Sequence, residues 1–140
     1  MSRWKRLLST NAPAATLLIR LVVGGVFFSE GVQKFLYPES LGAGRLAKIG
    51  IPYPEVMGPL VGGIEVSCGA LALAGFLTRL AALPLVVVIL VAIATTKVPI
   101  LAEKGIWAMA HEARTDWSML LGGLFLLVAG AGSWSLDASL

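Results

Sequence analysis

The chain has 140 residues, of which 57% are hydrophobic and only 14% are charged, and its mean hydropathy is +0.86. Soluble domains carry about a quarter charged residues, so this composition excludes a separate soluble domain and indicates one transmembrane domain over residues 1–140. The net charge of +3 comes from scattered basic residues without a basic stripe, which excludes nucleic acid as a partner. Cys68 is the one cysteine, which excludes an internal disulfide and a CxxC redox motif.

The chain contains four apolar segments, and a transmembrane helix needs about 20 apolar residues. We predict an all-α, integral membrane four-helix bundle with spans at about 14–36, 56–77, 80–101 and 117–135. Pro38 closes the first segment, and Pro99 is expected to help end the third. Only residues 77–79 separate the second and third spans, which predicts an antiparallel helical hairpin.

Two polar loops, residues 37–55 and 102–116, lie on the side of the membrane opposite the hairpin turn. The stretch around Leu46 is expected to form a short interfacial helix. An even number of spans places both termini on one side of the membrane. By the positive-inside rule, the basic residues Arg3, Lys5, Arg6 and Arg79 then predict cytoplasmic termini in a multi-pass protein of the bacterial inner membrane.

Ionisable residues recur inside the apolar segments. A charge in the middle of a bilayer costs about 2.5–3.5 kcal/mol on insertion scales, so such residues normally face the bundle interior and pair. Glu30 and Lys34 have the i, i+4 spacing of a helical ion pair. Glu65 on the second helix then needs another cation, and Lys97 on the third helix lies at similar depth. We therefore predict a polar cluster of these four residues in the leaflet beneath the two loops.

Small and ionisable residues share one face of each of the first two helices at a spacing of 3.6 residues. These faces are Arg20, Gly24, Phe27, Gly31 and Lys34 on the first helix and Gly58, Gly62, Glu65, Gly69 and Ala72 on the second. Because small residues let membrane helices approach closely, we expect these faces to pack together and to point the charges inward.

Other polar residues are placed around this cluster. Gln33 is expected at its edge, and Trp107 and His111 are expected near its mouth. One histidine beside scattered carboxylates lacks the ordered ligand set of a metal site, so we predict no bound metal.

A second polar group is predicted at the opposite end of the bundle. Arg20 or Arg79 is expected to pair with Asp137 as a structural clamp that ties the C-terminal segment to the helical hairpin.

Ordered motifs along nearly the whole chain resemble those of the DoxX family of small four-helix membrane proteins. Its first-helix "R…G…G..K" pattern is matched at Arg20, Gly31 and Lys34. The "E…G…G..TR" pattern of its second helix and turn is matched at Glu65, Gly69, Gly75, Thr78 and Arg79. Residues 130–137 resemble its "GPGxxSLD" ending, with Ala131 in place of the proline.

This resemblance implies a four-helix membrane bundle and leaves the activity open. Some relatives are subunits of quinone-linked oxidoreductases, so the first hypothesis is a redox-linked membrane subunit rather than a complete enzyme. It would bind a quinone, without a covalent cofactor, or dock a soluble or membrane redox partner. The alternatives are a non-enzymatic scaffold that recruits soluble redox or detoxification enzymes and a small-solute carrier, which would require a homo-oligomer. A structural ion network would produce the same cluster.

Overall fold

The computed structural model describes residues 3, 8, 10 and 12–139, and the described residues form helices without a strand. The helices are α1 (Thr16–Leu36), α2 (Ala43–Lys48), α3 (Pro54–Ala74), α4 (Thr78–Ala92), α5 (Val98–Lys104), α6 (Ile106–Glu112), α7 (Arg114–Ala129) and α8 (Leu136–Ser139). A π-helical turn, Ile93–Lys97, joins α4 to α5. Lys5 and Arg6, two of the four basic residues on which the predicted orientation depends, lie outside the described residues.

Four of these helices, α1, α3, α4 and α7, form an antiparallel membrane bundle, as predicted. Helix α1 packs against α3 and α4 packs against α7, while α3 also contacts α4 and α1 contacts α7. We call the end with the α3–α4 turn (residues 75–77) the turn end, and the end with the connecting segments 37–53 and 105–113 the loop end. Three helices of the described chain are long and apolar enough to cross a membrane: Thr16–Leu36, Pro54–Ala74 and Thr78–Lys104.

The fourth long helix, α7, differs in extent from the predicted segment 117–135. It begins at Arg114 and has 16 residues, or about 24 Å of helix. It ends at Ala129 because Gly130 adopts φ 81°, which turns the chain out of the helix.

The interior of the bundle is built from apolar side chains of α1, α4 and α7. Val23, Leu85 and Leu126 are at most 1% exposed. The opposite faces of the same helices carry exposed apolar side chains such as Leu18, Leu83 and Val128. An apolar surface of this kind suits a bundle surrounded by lipid.

Helices α1 and α3 are held together by backbone contact at glycines. A Cβ atom at Gly69 would lie 2.8 Å from the backbone nitrogen of Phe28 and 3.0 Å from the carbonyl oxygen of Gly24. A Cβ atom at Gly31 would lie 2.7 Å from the carbonyl oxygen of Gly62. The buried residues of α3 are the predicted face, Gly58, Gly62, Glu65, Gly69 and Ala72. This confirms the predicted packing of the two faces.

The third long helix continues past Pro99, which the sequence analysis expected to help end it. A proline inside a helix clashes with the carbonyl four residues earlier, here that of Thr95. The helix widens into the π-helical turn just before Pro99 and then continues to Lys104. Within this turn the Thr96 hydroxyl donates a hydrogen bond to the carbonyl oxygen of Ala92 at 2.6 Å.

At the turn end, Asp137 holds the C-terminal segment against the start of α4. Its carboxylate accepts hydrogen bonds from the backbone N–H groups of Leu77 at 2.7 Å and Thr78 at 3.0 Å. Leu77 has φ 51°, and the free N–H groups of a helix start attract an anion. Asp137 therefore acts as the cap of α4, a role that the predicted clamp with Arg20 or Arg79 did not include.

Arg20 joins the same end of the bundle through carbonyl oxygens. Its guanidinium donates to the carbonyl oxygens of Trp134 at 2.7 Å, Ala131 at 3.2 Å and Leu73 at 3.4 Å. The side chain is 2% exposed. Arg20 thus links α1 to α3 and to the segment after α7.

We expect Gly69→Ala to destabilise the bundle by about 1–3 kcal/mol, because the added methyl group would meet backbone atoms that cannot move aside. Gly63→Ala on the same helix is the matched control, since a Cβ atom there meets nothing within 4 Å. Unfolding of the purified protein in detergent would measure both. Equal stability of the two variants would contradict the close packing of α1 and α3.

We expect Asp137→Ala to destabilise the protein by about 2–3 kcal/mol, because two backbone donors would lose a charged acceptor. Asp137→Asn keeps one acceptor oxygen and should fall between wild type and the alanine variant. The same unfolding assay applies. An alanine variant as stable as wild type would show that α4 does not depend on this cap.

Candidate functional site

A cavity of about 570 Å³ lies in the loop-end half of the bundle. Apolar side chains of α1, α3 and α4, including Phe27, Val61 and Val88, line most of it. The segment with α2 contributes further apolar groups, among them Leu46, which is 9% exposed. Its polar lining is formed by Glu30, Lys34, Arg45, Glu65, Thr95, Thr96, Lys97, Thr115 and Asp116. The four residues of the predicted cluster therefore line one cavity.

Lys34 and Glu65 form an ion pair between α1 and α3. The Lys34 Nζ atom lies 2.6 Å from Glu65 Oε1, and the two side chains are 15% and 5% exposed. Lys34 was predicted to pair with Glu30 on the same helix, and this prediction is wrong. Lys34 reaches Glu65 because the glycine contact at Gly31 and Gly62 brings the two helices together one turn away.

Lys97 and Asp116 form a second ion pair, which joins the π-helical turn to the start of α7. The Lys97 Nζ atom lies 3.1 Å from Asp116 Oδ2, and it also donates a hydrogen bond to Thr96 Oγ1 at 3.1 Å. The predicted pairing of Lys97 with Glu65 is wrong. Lys97 lies on the helix that packs against α7, whereas Glu65 faces α1.

Glu30 and Arg45 line the cavity without an ion pair in the described part of the chain. Both residues are exposed. Glu30 lies on α1 one turn before Lys34, and Arg45 lies on α2, which covers the cavity from the loop end. The cavity therefore has a free carboxylate and a free guanidinium beside two closed ion pairs.

The three peripheral residues of the predicted site lie away from the cavity lining. Gln33 donates a hydrogen bond to Ser29 Oγ at 2.9 Å along α1. Trp107 is 85% exposed on α6, and His111 is exposed on the same helix. The described residues contain no group of three or more His, Cys, Asp or Glu side chains that could hold a metal ion.

Two charged cavity residues were missing from the predicted cluster. Asp116 directly precedes the predicted fourth span, 117–135, and the fold places it beside Lys97. Arg45 lies in the helix predicted around Leu46, which the structure confirms as α2. Its place over the cavity follows from how the 37–53 segment folds back, which no local pattern indicates.

The fold and the cavity define a small helical membrane protein with a polar site between its helices. The model of the DoxX family matches residues 15–98, and the chain belongs to this family. It is 50% identical over 143 aligned positions to the uncharacterized membrane protein Rv3486 of Mycobacterium tuberculosis, an alignment that covers 98% of this chain and 88% of the relative. No solved structure matches the chain.

We expect Glu65→Gln to destabilise the protein by about 3 kcal/mol, because it leaves the mostly buried Lys34 without its counter-ion. Adding Lys34→Gln should recover part of this loss, since the double variant buries no unpaired charge. Glu55→Gln, on the exposed start of α3, is the control and should change stability by less than about 0.5 kcal/mol. Strictly additive effects of the two cavity variants, measured by unfolding in detergent, would contradict the pairing.

Proposed function

We propose that this DoxX-family protein is a redox-linked subunit of the bacterial inner membrane that binds a quinone in the cavity at its loop end. The observation that carries the proposal is one cavity that is apolar over most of its wall and polar where Lys34, Glu65, Lys97 and Asp116 meet it. Ligand pockets typically have this composition and a volume of about 300–1,000 Å³.

The lining suits the chemistry of a quinone. The flat ring needs an apolar slot, and Phe27 and Val88 offer such surfaces. The two carbonyl oxygens need hydrogen-bond donors. Lys34 and Lys97 carry ammonium groups with donors beyond those their carboxylate partners use. These two lysines would hold the oxygens, and their separate placement on α1 and at the end of the π-helical turn would orient the ring.

The carboxylates supply a way to move protons. Reduction of a quinone to a quinol takes up two electrons and two protons. Glu30 is exposed and lines the cavity, so its carboxylate would exchange protons with water. Glu65 would relay these protons within the cavity to the two quinone oxygens, where they balance the two electrons taken up. The electrons would come from a partner protein, because one histidine and one cysteine provide neither a bis-histidine haem site nor a thiol pair.

A second candidate function is a membrane anchor that recruits soluble enzymes. The observation in its favour is that Lys34–Glu65 and Lys97–Asp116 are closed pairs, as in a structural ion network. On this hypothesis the cavity would stay without a ligand, and the exposed loop-end helix α6 would be a contact surface for a partner.

We expect a soluble quinone analogue to stabilise the purified protein against thermal unfolding as its concentration rises. At 100 times its Kd, the free energy of unfolding should increase by about 2.7 kcal/mol. Ala92→Phe should abolish this stabilisation because Ala92 lines the cavity and a phenyl ring would fill it. Ala94→Phe, an exposed position two residues away outside the lining, is the matched control and should respond like wild type. No stabilisation of the wild type would favour the anchor.

A further inference from the structure

We propose that the cavity opens to the bilayer between α3 and α4 and that its ligand carries an aliphatic chain that leaves through this opening. The inference rests on the proposed function, because it specifies which kind of quinone the site would take. The ligand would be a lipid-soluble, long-chain molecule whose polar head enters the bundle, and a headgroup alone would bind weakly.

The loop-end halves of α3 and α4 lie on either side of the cavity. At the turn end the helices are joined by residues 75–77 and fixed by the Asp137 cap. Toward the loop end, Leu60 and Val61 of α3 and Val87 and Val91 of α4 all line the same cavity. The space between the two helices is therefore part of the cavity rather than a packed seam.

Several of these lining residues are also on the outer surface of the bundle. Leu60 is 50% exposed, Val87 is 52% exposed and Val91 is 47% exposed. Residues that line a cavity and are also half exposed are expected where that cavity reaches the surface. The nearby surface carries exposed Val56 and Leu90, so the opening lies in an apolar surface that lipid would cover.

A shallow groove on the lipid-facing side of α3 continues from this opening. It runs from Pro59 to Cys68, and it shares Leu60 and Ile64 with the cavity. Its middle is open because Gly63 has no side chain and no neighbour within 4 Å of a Cβ position there. The nine residues from Leu60 to Cys68 make a path of about 12 Å for a chain lying along the helix.

The two ion pairs of the cavity suit the head of the same ligand. Lys34 and Glu65 join α1 to α3, and Lys97 and Asp116 join the π-helical turn to α7. An amphiphile could place its head at these pairs and its chain among the apolar side chains of α3 and α4. The chain would add binding energy because each buried methylene contributes about 0.8 kcal/mol.

The first arm of the test measures the opening without any quinone. A nitroxide spin label is attached to Val61→Cys in a Cys68→Ala background, and the protein is placed in lipid nanodiscs. Collision with oxygen, which dissolves in lipid, is compared with collision with a water-soluble nickel chelate. The expected result is an oxygen-dominated profile like that of a label at the lipid-facing Val128. Dominant collision with the nickel chelate would overturn the inference.

The second arm compares a decyl-chain ubiquinone analogue with the same ring lacking the chain. We expect the decyl analogue to bind wild type at least tenfold more tightly. Val91→Trp should remove most of this advantage, measured as the ratio of the two Kd values, so that any general loss of ring binding in the cavity is divided out. Val98→Trp, an exposed valine outside the lining on the following helix, is the matched control and should keep the advantage.

The two failures are distinguishable. If wild type binds neither compound, the proposed quinone function fails, and the spin-label profile alone decides whether the cavity opens to lipid. If wild type binds both compounds equally well, or if Val91→Trp and Val98→Trp behave alike, the quinone function stands and the lateral opening is overturned.

Discussion

The close approach of α1 and α3 is the constraint on which the rest of the structure depends. In a bilayer no hydrophobic force drives one helix onto another, so association relies on backbone contact and on paired polar groups. Gly24 and Gly31 on α1 meet Gly62 and Gly69 on α3 at distances that exclude a side chain. This contact places Lys34 within reach of Glu65. The two intramembrane charges therefore form an ion pair that joins the two helices.

A second pair of charges, Lys97 and Asp116, likewise joins two neighbouring helices of the bundle. The helix that packs against α7 places Lys97 opposite Asp116, and the π-helical turn before Pro99 lets the helix continue without a break. Both pairs line one cavity, whose wall is mostly apolar. Closed ion pairs and an open cavity are the two features that any account of this protein's function has to combine. A ligand-binding function requires the cavity as well as the ion pairs. A structural ion network requires only the two ion pairs.

Much of the architecture could be predicted from the sequence, because a small number of physical constraints determine where membrane helices begin, end and pack. Length and apolarity locate the spans, and prolines and glycines mark helix boundaries. The 3.6-residue spacing identified the buried face of α3 residue by residue. The membership of Glu30, Lys34, Glu65 and Lys97 in one site was predicted because charges in lipid must face inward, and all four line the cavity. The predicted fourth span ended too late, because it ran through Gly130 and Gly132, whose positive φ values end the helix at Ala129.

The sequence by itself determined which residues are excluded from lipid, because burial of charge and contact at glycine are properties of residue type and spacing. It did not determine which charges pair, because pairing depends on which helices are neighbours. The i, i+4 spacing favoured Glu30 with Lys34, yet Lys34 crosses to α3. Only the tertiary structure decided that Lys97 meets Asp116, that Asp137 caps α4 and that Arg45 folds over the cavity. Each of these contacts joins segments that are far apart in the sequence. Local sequence patterns do not indicate which distant segments become neighbours in the fold.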